Sequence, residues 1–160
     1  MTGKVWKFGR DVNTDYITAG RYAHVRDLDE KVKFIFEDLD PDFAKEFRPG
    51  GIIVAGDNFG CGSAREIAPV IIRHAGVAAV VASSFARLFY RNAINIGLPI
   101  FEIRDVDKYF EKDDVISIDM ESGLVRNEST GRDFQAAVFP PFVQSVIKAG
   151  GLVAALSKDI

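Results

Sequence analysis

The stretch GDNFGCGSAREIAP, Gly56 to Pro69, follows an apolar run and leads into a helical pattern. It gathers three glycines, the thiol of Cys61, the hydroxyl of Ser63, Arg65 and Glu66 at one strand-to-helix junction. There the backbone N–H groups from Gly60 to Ala64 are free to face an anion, and glycine permits the backbone angles and close approach that such a cradle needs. Arg65 can grip a carboxylate or phosphate through two parallel hydrogen bonds. A serine amid such donors can be stabilised as an alkoxide, so Ser63 is a candidate general base or nucleophile. The neighbouring histidine of a hydrolase is missing. The P-loop lysine, the dinucleotide-binding glycine spacing and the Gly-x-Ser-x-Gly elbow are absent as well. From the residues alone, the stretch is an anion-binding site with a candidate base.

Working outward, KVWKF (4–8), GIIVAG (51–56) and GVAAVVASS (76–84) read as strands of one sheet, the last as fully buried. Between the second and third, residues 63–76 place Ile67, Val70, Ile71 and His74 at helical spacing, with Pro69 marking the start of the regular helix and Gly76 its stop. Residues 84–97 repeat the scheme with Leu88, Phe89, Ala93 and Ile96 on one side, Gly97 as a stop and the strand LPIFEI after it. This is an α/β chain. Residues 115–137 alternate with period two around Ser-Gly and Thr-Gly turns, which predicts an antiparallel hairpin or meander. Residues 140–159 predict two helical pieces divided at Gly150-Gly151. The segment 27–46 carries eight acidic and three basic residues around an apolar stripe of Val32, Ile35, Phe36 and Leu39, and reads as a helix with a solvated face.

The chain has 160 residues, 48% of them hydrophobic, enough for one good core and too few for two ordinary domains. A formal charge of −3 leaves no broad cationic surface, so neither nucleic acid nor an anionic membrane is an expected partner. No apolar run approaches a membrane span and the N-terminus does not read as a signal peptide, so a cytoplasmic location is expected. Cys61, the single cysteine, cannot alone hold a zinc ion or an iron–sulfur cluster.

Taken together, GDNFGCGSARE, the upstream DVNTDYITAGRY and the downstream FARLFYRNAINIGLP resemble the small subunits of 3-isopropylmalate dehydratase, swivelling domains of the aconitase superfamily. The resemblance runs over roughly residues 3 to 156. It implies a three-layer β/β/α swivelling domain, with residues 1–160 forming that one domain. It implies a hydro-lyase of leucine biosynthesis acting on a small hydroxy di- or tricarboxylic acid. No cofactor is then bound by this chain; a 4Fe-4S cluster sits in a large partner subunit. A surface meant for that partner lets the isolated chain form homo-oligomers.

The resemblance also assigns residues. Ser63 holds the position of the base, Arg65 that of a substrate-carboxylate ligand, and Asp15 reaches the site from the N-terminal loop, with Thr14 a weaker candidate. Ala64 stands where most relatives have a second serine, so only its backbone N–H can touch substrate. The loop Tyr22, Ala23, His24, Val25, Arg26 occupies the place that reads the variable side chain. It matches neither the usual apolar loop of isopropylmalate enzymes nor the arginine-bearing loop of homoaconitases, so a homoaconitase or dimethylmalate-type dehydratase is the alternative substrate class. A non-catalytic small-anion-binding module is the alternative of another kind. Ala23 and Val25 favour an isopropyl group, and acidic neighbours at 27, 29 and 30 are expected to occupy Arg26. His24, His74, Cys61, Arg87, Tyr90, Arg91, Asn92 and Asn95 are read as structural or surface residues.

Overall fold

A computed structural model describes residues 1–157. In chain order the elements are β1 (Thr2–Lys7), α1 (Thr14–Ile17), α2 (Leu28–Lys31), α3 (Phe43–Glu46), β2 (Ile52–Ala55), α4 (Ile67–His74), β3 (Ala79–Ala82) and α5 (Arg87–Asn95). They continue as β4 (Ile100–Glu102), β5 (Val115–Ile118), β6 (Leu124–Asn127), β7 (Arg132–Gln135), α6 (Pro141–Ala149) and α7 (Leu152–Leu156). The strands form a seven-stranded sheet in the order β4-β3-β2-β1-β5-β6-β7.

β1 joins two kinds of pairing. Its Val5–Lys7 half runs parallel to Ile52–Val54, and its Thr2–Lys4 half runs antiparallel to Val115–Ser117. On the parallel side, every residue of β2 and β3 is buried, which is why both read as unbroken apolar runs. On the other side, β5 to β7 form the meander that the alternation predicts, joined through turns that include Gly123 and Gly131. The connections β2–α4–β3 and β3–α5–β4 are the two βαβ units expected, and they bring the loops after β2 and β3 to the same carboxyl edge of the sheet.

Three local readings need correction. The 27–46 segment is not one helix: α2 passes into a 3-10 turn at 32–34, and the chain reverses at Phe36, whose φ is 57°. The reversal drives the fully buried Phe36 ring to 4.5 Å from Phe8 and 4.8 Å from Phe43, while Leu39 stays exposed. Burial of that aromatic cluster over β1 overrides the helical stripe. In α4 the buried face is Ala68, Pro69, Ile71 and Ile72, one position round from the stripe expected, and Pro69 sits in the first turn, where no backbone donor is needed. In α5, Phe89 and Ala93 are buried as expected but Leu88 is exposed.

Candidate functional site

The loop after β2 crosses the segment between β1 and α1. Gly60 N–H donates to the Val12 carbonyl at 2.8 Å, and Thr14 N–H donates to the Cys61 carbonyl at 2.9 Å. The buried Thr14 hydroxyl donates to the Ser63 carbonyl at 2.8 Å, and the Asn13 side chain caps α1 by accepting the Asp15 N–H at 2.9 Å. Gly60 and Gly62 both take left-handed angles, φ 80° and 85°. A β-carbon on Gly60 would lie 2.2 Å from the Phe89 ring, and one on Gly62 would lie 2.4 Å from the Asn13 side chain. Glycine is required at both positions by space as well as by angle.

This bracing leaves Ser63 and Ala64 exposed. Among the described residues, the N–H groups of Gly62, Ser63, Ala64 and Arg65 donate to no protein acceptor, whereas Gly60, counted among the free donors in the sequence, gives its N–H to Val12. Arg65, with 29% of its side chain exposed, pairs through Nη2 with Asp15 Oδ1, and its Nη1 donates to the Thr18 carbonyl at 3.1 Å. Ser63, Ala64, Arg65 and Asp15 are thus brought together. Thr14, Ser63, Ala64 and Arg65, but not Asp15, line a cleft of about 240 Å³ whose other wall is Ala86 to Phe89 with Asn92.

Arg87, read from the sequence as part of a packed helix face, and Asn92, read as a helix-end hydrogen-bonder, both line the cleft. Apolar periodicity gives the side of α5 that is buried but not which polar residue looks into a cleft, and no signal in the sequence marks them. Arg87 makes no ion pair among the described residues, and neither does the exposed Arg91 one turn on. Tyr90 packs on Phe85 at 6.1 Å between centroids, and burial, with Glu102 nearby, pushes its hydroxyl pKa up. Asn95 lines a different groove of about 680 Å³, with Ile67, Val70, Ile96, Leu152 and Val153 on its walls. That groove is larger but holds a single ionisable group, Glu66, whereas Arg65 and Arg87 line the smaller cleft.

None of residues 22–26 lines the cleft; the nearer point is Gly20, two residues before the loop, where a β-carbon would lie 3.6 Å from Arg65 Nη2. Tyr22 is locked, stacked on Phe34 at 4.1 Å and donating to Glu37 Oε2 at 2.6 Å. Ala23, His24 and Arg26 are exposed, and Val25 is half-buried. Arg26 does not meet the acidic neighbours expected for it. Asp27 caps α2, Asp29 lies 2.7 Å from His74 and Glu30 pairs with Lys33. Cys61 is half-buried rather than buried, and desolvation, then the Asp11 charge, pushes its thiol pKa up. His74 has the structural role expected.

A family model described as the aconitase C-terminal domain matches residues 10–104. The 3-isopropylmalate dehydratase small subunit of Nautilia profundicola is 51% identical over 153 residues, covering 96% of this chain and 92% of that one. The chain belongs to the 3-isopropylmalate dehydratase small-subunit family. A further member of that family, small subunit 2 from Archaeoglobus fulgidus, is 49% identical over 99% of this chain and 95% of its own. The crystal structure of 3-isopropylmalate dehydratase from Methanocaldococcus jannaschii superposes with a TM-score of 0.92 at 37% identity, covering 99% of this chain and 93% of that one. The fold is the α/β swivelling type expected.

Proposed function

We propose that this chain is the small subunit of a 3-isopropylmalate dehydratase, a hydro-lyase that interconverts 2- and 3-isopropylmalate by dehydration and rehydration together with a separate large subunit. One observation carries the reading: the exposed Ser63 hydroxyl, unpaired backbone donors and the Arg65 guanidinium converge on one cleft. Arg65 exchanges the Asp15 carboxylate for a substrate carboxylate, which keeps the cation satisfied in both states. Ser63, held as alkoxide by the donors around it, accepts the proton from the carbon beside that carboxylate and returns it on rehydration. Ala64 contacts substrate through its N–H alone, and Arg87 is free for a second carboxylate. Ala23 and Val25 offer apolar contact to the isopropyl group.

The residues of this chain do not fit a 4Fe-4S cluster, which needs about four thiolates. Cys61 is one thiol held protonated by burial, and no group of three His, Cys, Asp or Glu able to hold a metal occurs among the described residues. We place the cluster, and with it the leaving-group chemistry, on the large subunit, and read residues 1–160 as one swivelling domain. Among the described residues no helix is long and apolar enough to cross a membrane, which accords with the cytoplasmic location we assign.

The test is anaerobic assay of the chain alone and after co-expression with a cluster-bearing large subunit. The assembled enzyme is expected to turn over isopropylmalate while the isolated chain does not, and Ser63→Ala is expected to lower kcat by about 10² to 10⁴ with little change in KM. Turnover by the isolated chain sinks the divided enzyme. A near-normal kcat in Ser63→Ala removes Ser63 as the base.

A further inference from the structure

Thr14 is 1% exposed, yet it commits both of its donors to the catalytic loop. Its N–H goes to the Cys61 carbonyl at 2.9 Å and its Oγ1 to the Ser63 carbonyl at 2.8 Å. The alternative acceptor for that hydroxyl, Asn13 Oδ1, lies at 3.5 Å, so the single hydroxyl proton belongs to Ser63. The next backbone anchor of the loop is the Arg65 carbonyl, which accepts from Ala68 N–H at 3.1 Å. Between Cys61 and Arg65, the Thr14 hydroxyl is the fixed point.

The consequence follows from peptide planarity. The Ser63–Ala64 peptide is trans, so its C=O and N–H point in opposite directions. Holding the carbonyl on Thr14 turns the Ala64 N–H away from Thr14 and fixes its direction relative to the cleft that Thr14, Ser63 and Ala64 all line. With no hydroxyl at position 64, that N–H is the group the residue can offer to substrate, and its direction depends on one buried hydrogen bond.

We infer that Thr14 is a positioning residue: its buried hydroxyl sets the Ser63–Ala64 peptide plane, and so aims both the base and the Ala64 donor at the substrate. The inference rests on the reading of Ser63 given above. It predicts a loss in kcat with little change in stability for a shape-conserving removal of the hydroxyl, because a misaimed reacting group costs about 10²-fold.

The experiment uses the assembled two-subunit enzyme with isopropylmalate. Thr14→Val is expected to lower kcat about 100-fold with KM changed less than about threefold, while Thr14→Ser, which keeps the donor, stays within about threefold of wild type. The double variant Thr14→Val/Ser63→Ala is expected to lose less than the two single losses combined, since part of the effect of Thr14 runs through Ser63. Should Thr14→Val fail to assemble, Thr14→Ala against Thr14→Ser makes the same comparison. A Thr14→Val kcat within twofold of wild type, Thr14→Ser as slow as Thr14→Val, or additive losses in the double variant would each overturn the inference. If those occur while Ser63→Ala is strongly impaired, the base stands and only the role of Thr14 falls. A silent Ser63→Ala instead brings down the reading on which the inference rests.

Discussion

Arg65, which lines the cleft, forms an ion pair with Asp15, and the same guanidinium reaches the Thr18 carbonyl at 3.1 Å. In the proposed exchange, the Thr18 carbonyl holds one arm of the arginine fork while a substrate carboxylate takes the place of Asp15 on the other. Lysine keeps the charge but offers a point donor without a fork. Arg65→Lys is expected to raise KM for isopropylmalate about tenfold or more while kcat changes less. Steady-state kinetics of the assembled enzyme measure this, and an unchanged KM takes Arg65 out of the substrate site.

Gly60→Ala tests the scaffold beneath the cleft. The new methyl would stand 2.2 to 2.6 Å from Phe89 at a backbone φ of 80°. Strain of about 1–3 kcal/mol adds to overpacking of similar size. Thermal unfolding should show a fall of roughly 4 °C or more in Tm, at about 2–4 °C per kcal/mol for a chain of this size. Gly9→Ala, where nothing lies within 4 Å, is the control and should move Tm little. Equal effects of the two would mean that Phe89 yields freely.

Much of this arrangement is legible in the sequence, and the limits have physical causes. β2 and β3 are readable because strands buried on both faces must be apolar throughout, and Gly60 and Gly62 because few other residues fit those angles. The turn at Phe36 is not readable, since it depends on Phe8 and Phe43, residues that are near only after folding. The partners of Arg26 are not readable for a similar reason: adjacent acids look available in sequence, but one is taken by a helix cap and another by His74, 45 residues away. Thr14 gives no sign in the sequence that its hydroxyl is buried against Ser63.

Acid stability should depend on Asp114. The Glu111 N–H, then the side chains of the fully buried Asn127 and of Ser129 and the nearby Lys7, hold its pKa below the usual carboxylate value. A depressed pKa in the folded state contributes stability that is complete above the ordinary carboxylate pKa and is lost as pH falls through the folded value. Asp114→Asn, which copies the protonated form, is expected to lower Tm at about pH 6, by a margin that narrows as pH falls below the ordinary carboxylate pKa. Melting curves of both proteins across that range check it; a gap that stays constant with pH assigns the effect to shape instead of charge.

The last prediction concerns the substrate's variable group. Arg26 is exposed, next to Val25 in the loop that follows Gly20, and the acids around it are engaged elsewhere. A free cation there is available to a third carboxylate, whereas Ala23 and Val25 are available to an isopropyl group, and the two demands conflict because burying an isopropyl group against an unpaired guanidinium desolvates charge without compensation. The identity of about 50% to isopropylmalate enzymes weighs for the apolar choice, with Arg26 swung into solvent. Arg26→Ala should then leave kcat/KM for isopropylmalate within about twofold, a change below 0.5 kcal/mol, and should not alter its ratio to that for homoaconitate. Measuring both substrates with both proteins decides the matter: a wild type that prefers the tricarboxylate, and loses the preference with Arg26, would assign this cleft to a homoaconitase while leaving Ser63 and Arg65 in their roles.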